Sequence, residues 1–138
     1  MRGDYAFRVR IEAPYDEALT SAKEALKAEG FGVLTEVDVK ATFAAKLGVE
    51  FRPYAILGAC NPPLSHRALS RELDAGLVLP CNVVVYEEGD GTEVVIADPE
   101  IIVQTLDKPD LMEIAQDARD KLERVAAALR DSDGRDRP

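Results

Sequence analysis

Two β-branched runs, "LVLPCNVVVYEE" and "TEVVIADPE", meet at "GDG", and this pattern limits most strongly what the chain can become. Gly89 and Gly91 permit positive φ and the Asp90-Gly91 pair favours a tight turn, so the flanking strands are antiparallel neighbours. A sheet built on such a hairpin needs further strands and a covering layer to be stable. The rest of the chain supplies both.

In "YAFRVRIEA", Tyr5, Phe7, Val9 and Ile11 share one face while Arg8, Arg10 and Glu12 share the other, the period of two of a strand with one wet face. "PYDEALTSAKEALKAEGF" then changes period: Ala18, Leu19, Ala22, Ala25 and Leu26 line one side of a helix that Gly30 stops. "GVLTEV" is a second strand, and Asp38 caps a short helix that runs through Leu47 to Gly48, with Val39, Phe43 and Leu47 as its expected buried stripe. "FRPYAILGAC" is a third strand with Pro53 at its entry, and "NPPLSHRALSREL" a third helix. From Pro109 to Leu129, the residues Leu111, Ile114, Ala118, Leu122, Val125 and Leu129 recur at helical spacing and predict a long closing helix.

These elements predict one α+β domain over residues 1–130, a two-layer arrangement of a mainly antiparallel sheet with helices on one face, followed by a frayed tail over 131–138. At 138 residues the chain forms a core without disulfide or metal staples. Its formal charge of −9 repels phosphate backbones and anionic lipid surfaces, so neither nucleic acid nor membrane is an expected partner. No run approaches the ~20 apolar residues of a membrane span, and the alternating start differs from the apolar core of a signal peptide, so the expected location is cytoplasmic.

Site chemistry is narrowed to few residues, because the chain has two cysteines and one histidine. Each cysteine precedes an asparagine: Cys60-Asn61 closes the third strand, and Cys81-Asn82 follows Pro80 in the run before the hairpin. Asn61 is suited to cap the third helix with Pro62 at its first position. Pro62 and Pro63 bring no N–H and the cap occupies that of Leu64, which leaves few donors for an anion. Pro80 and Asn82 predict a bulge or a sheet edge beside Cys81. If the third and fourth strands are antiparallel neighbours, Cys60 and Cys81 end at one edge and can approach each other.

Two thiols and His66 give three of the four ligands of a structural zinc at a spacing that matches no zinc motif, so no metal or other cofactor is expected. Cys60 with His66 six residues on has the residue types of a nucleophile and base, but a strand end and a helix's second turn need not face each other. Burial of the thiols and solvation of His66 are the default expectations.

The stretches "EGFGVLTEVDVKATFAAKLGVEFRPYAILGACNPPLSHRAL" and "GLVLPCNVVVYE" resemble the bacterial and archaeal family called domain of unknown function 302, a likeness that runs from Tyr5 to about Leu129. Asp38, Lys40, Arg52, Cys60, Asn61, Pro62, Cys81 and Asn82 fall on its special positions. The resemblance implies a TATA-binding-protein-like or helix-grip fold, with a curved sheet wrapped against the long C-terminal helix, and a homodimer, but no established activity.

Three functions are compatible with these features. One is a homodimeric protein that holds a small apolar or anionic molecule between sheet and helix, with Arg52, Cys60, Asn61, Cys81 and Asn82 converging at one sheet edge. Another is a thiol enzyme or redox sensor that uses Cys60 with Cys81 as its resolving partner. The third is a structural dimerisation module.

Overall fold

The alternation of "AFRVRI" produces strand β1, Ala6–Ile11, and the 3.6-residue period that follows produces helix α1, Tyr15–Ala28. A computed structural model describes residues 5–135, with side chains as far as Asp131. Strand β2, Gly32–Asp38, leads into helix α2, Val39–Leu47, where the Asp38 carboxylate accepts from the Ala41 amide and Gly48 closes the helix at φ 65°. Strand β3, Tyr54–Cys60, is followed by helix α3, Pro62–Arg71, and a 3-10 helix over Leu73–Val78. The hairpin is β4, Cys81–Glu88, and β5, Gly91–Ala97. Helix α4, Pro99–Gln104, and a short 3-10 turn precede helix α5, Met112–Arg135.

The five strands form one antiparallel sheet in the order β1-β5-β4-β3-β2. Phe7, Val9, Ala55, Leu57, Val83 and Ile96 point to the covered face, where they meet α1, α3 and α5 in the core. All six residues of the periodic stripe from Leu111 to Leu129 are buried, the Leu, Ile and Val side chains each contributing roughly 1.5–3 kcal/mol of apolar burial and Ala118 less. On the uncovered face, Val37, Ile56, Val84 and Val95 stand in register across four strands. At the turn, Gly89 takes positive φ. Gly91 serves by its size, because a Cβ there would lie 2.7 Å from Arg10 Nη2 and 3.0 Å from the Ile11 carbonyl.

Several local expectations are corrected. The run before the hairpin is not strand from Leu77: Leu73–Val78 winds as a 3-10 helix, Leu79-Pro80 is a cis peptide, and β4 starts only at Cys81. The bulge lies in β2, between Val33 and Thr35, and not beside Pro80. Of the stripe expected to be buried on α2, Val39 is buried, Phe43 half-buried and Leu47 68% exposed, because α2 packs only over one end of β2 and β3. The backbone of α5 stays helical to Arg135, into the expected tail; the last three residues of that tail lie outside the described residues.

Candidate functional site

β3 stops where Asn61 leaves the ladder, and its side chain explains why. The Asn61 amide oxygen accepts from the Leu64 N–H at 3.3 Å, while its nitrogen donates to the Glu29 carbonyl at 3.4 Å. One buried amide thus caps α3 and fastens it to the end of α1. Gly30 lies against this bolt at φ +86°, and a Cβ there would come 3.0 Å from Asn61 Nδ2. Pro62 occupies the start of the helix, where its missing N–H leaves no bond unmade.

The thiols gather at the same corner. Cys81 lies opposite Ala59 in the β3–β4 ladder, one position from Cys60, and Cys60 Sγ lies 3.2 Å from Ser65 Oγ. Burial, and then the charge of Cys60, pushes the Cys81 thiol up to about 11. A protonated thiol is a poor nucleophile, so Cys81 is not activated near neutral pH. His66 is exposed, and Cys60 meets Ser65 where a nucleophile–base pair would need the imidazole. Among the described residues no group of three or more His, Cys, Asp or Glu side chains is arranged to hold a metal ion.

Beside this corner a cavity of about 550 Å³ opens between the strand ends, α3, the Leu73–Val78 turn, α4 and α5. Its walls are apolar, mostly aliphatic with Phe31 among them, with Asn61, Ser65, Cys81, Asn82 and Thr105 as polar points, and none of its lining residues is charged. Of the five expected site residues, Asn61, Cys81 and Asn82 therefore line one cavity and Cys60 joins them through Ser65. Arg52 does not. It precedes the opposite end of β3, roughly 20 Å along a strand of that length, where it donates to the Glu87 carbonyl at 3.2 Å and pairs with Glu88 at 3.1 Å.

Sequence reasoning missed the wall supplied by α4, which brings Ile102, Val103 and Thr105 to the cavity. A signal was present: Asp98-Pro99 repeats the grammar of Asn61-Pro62, and Asp98 accepts from the Glu100 amide at 3.0 Å. Arg119 holds the buried Asp98 at 3.4 Å and Glu100 at 3.2 Å, tying α4 to α5.

A family model described as Domain of unknown function DUF302 matches residues 7–129. The chain belongs to the DUF302 family. The crystal structure of an uncharacterized conserved protein DUF302 from Bacillus stearothermophilus is similar to this chain at a TM-score of 0.81 and 35% identity, covering 92% of this chain and 97% of that one. No curated protein matches. Among the described residues of this DUF302 domain, no helix is long and apolar enough to cross a membrane.

The raised Cys81 thiol gives this DUF302 domain an alkaline limit. The folded state keeps its proton up to about 11, whereas an exposed thiol releases it near its ordinary value of 9.0. Between those values the native state binds more protons than the unfolded state, so stability falls as pH rises. Denaturant melts from pH 8 to 11 are expected to show this loss, and Cys81→Ala to flatten it. An unchanged slope in the variant would assign the loss to other groups.

Proposed function

We propose that this DUF302 domain binds a small, neutral and largely apolar molecule in the cavity beside the Cys60-Asn61 corner, and that it works as a cytoplasmic homodimer. The observation that carries the binding reading is the cavity, with its volume of about 550 Å³ and its uncharged lining. Its size falls within the range of small-molecule sites, and aliphatic walls with a few polar points are the usual composition of one. An anionic ligand is disfavoured, because no Lys, Arg or His lines the space and the chain carries −9. Ser65, Asn82 and Thr105 supply the hydrogen-bonding groups that orient a neutral guest. Thiol chemistry is the weaker reading, since burial keeps Cys81 protonated.

Nile red, a neutral dye that brightens in apolar surroundings, tests the site. Saturable fluorescence at one dye per chain is expected from the wild type. Val103→Trp, placed on the half-buried inner side of α4, fills the space and is expected to weaken binding about tenfold or more. Equal affinity in the variant would locate the dye elsewhere and remove the basis for the reading.

A further inference from the structure

We propose that the open edge of β2, together with the apolar side of α2, is where a second copy of this chain docks, with β2 pairing antiparallel to its two-fold mate. This rests on the homodimer part of the reading above and is independent of what fills the cavity.

The sheet has two edges, and they differ. β1 is buried at four of its six positions and α5 packs along it, whereas β2 is exposed at every position from Leu34 to Asp38. An open edge presents unpaired N–H and C=O groups that another strand satisfies. The bulge takes Leu34 out of the β3 ladder and leaves Thr35 to Asp38 regular. Apolar side chains flank this edge. Among the described residues, five of the nine exposed large apolar ones are Leu34, Val37, Leu47, Val49 and Phe51, all between the start of β2 and the start of β3. Leu47, at the end of the α2 stripe, joins this exposed group, and an apolar patch of that kind marks a contact surface.

The occupant is argued from closure and charge. β2 against β2 uses the same edge of each copy and so makes a closed two-fold pair. Electrostatics favours the same surface: β2 and α2 together contain Glu36, Asp38, Lys40 and Lys46 and sum to zero in a chain of −9. Glu36 is already paired with Lys23 at 2.6 Å, and Asp38 is engaged as the cap of α2. Two copies repel each other least where their charges cancel locally.

Light scattering after size exclusion, combined with hydrogen exchange of the full chain, tests the proposal. The wild type is expected to be a dimer with protected amides from Thr35 to Asp38. The double variant Leu34→Lys/Leu47→Lys changes two side chains that are already exposed and sets like charges across the two-fold. It is expected to keep its melting curve, raise the dimer dissociation constant by about 100-fold or more, and lose that protection. Leu73→Lys, 84% exposed on another face, is expected to remain dimeric. A monomeric wild type would overturn the homodimer reading and this surface with it. A dimer indifferent to the double variant, one with fast-exchanging β2 amides, or one broken by Leu73→Lys would overturn this surface alone.

Discussion

Asn61→Ala is expected to destabilise the domain by about 2–4 kcal/mol, the sum of a lost cap and the burial of groups left without partners. The Leu64 amide loses its acceptor and the Glu29 carbonyl its donor, in a place where Asn61 itself is only 6% exposed. Cys60→Ala removes one half-buried sulfur whose hydrogen-bond partner, Ser65, can turn elsewhere, and is expected to cost about 1 kcal/mol. Thermal melts of the two variants decide the order. A larger fall for Cys60→Ala would show that the thiol, and not the amide, holds the corner together.

Gly58→Ala is expected to cost about 2–3 kcal/mol by overpacking. A Cβ on Gly58 would enter the space of the Thr35 hydroxyl and come 2.8 Å from Cγ of Pro80. The Thr35 side chain can rotate, but the Pro80 ring cannot, so β3 must shift against the chain entering β4. Gly32→Ala, in the adjacent strand with nothing within 4 Å of the new methyl, is expected to stay within about 0.5 kcal/mol of the wild type. Adding Thr35→Ala to Gly58→Ala should restore part of the loss, which a double-mutant cycle measures. Equal stability of the two glycine variants would show that the sheet yields freely at Pro80.

Much of this fold was legible because local signals agree with their surroundings. Asp38 with Gly48 bounded α2, Asn61 with Pro62 began α3, and the stripe from Leu111 to Leu129 placed α5, each through a periodicity or cap that needs no knowledge of the neighbours. Where several apolar residues stood together, the pattern was ambiguous. "LVLPCNVVVY" has the composition of one long strand, but its first residues satisfy their backbone in a 3-10 turn. The stripe on α2 was visible, but its exposure depends on the helix lying at the end of the β2–β3 hairpin. Arg52 and Cys60 belong to one short stretch of sequence, yet an extended strand holds their ends apart, so proximity in sequence misled for the site. The cavity belongs to no segment, since five elements meet around it.

β1 is synthesised before the other four strands of the sheet, and its partner is the last of them. Its ladder runs to β5, Ala6 opposite Ala97 and Ile11 opposite Thr92, while β2, β3 and β4 each pair with the strand next in sequence. At ribosomal speeds of ~5–20 residues per second, roughly 5–20 s separate the emergence of β1 from that of β5. Through that interval Phe7, Val9 and Ile11 lack the strand they pair with, whereas β2, β3 and β4 pair with strands close by in the sequence. Arg8 and Arg10, alternating with the apolar residues, keep the waiting segment charged and soluble until the last edge of the sheet is made.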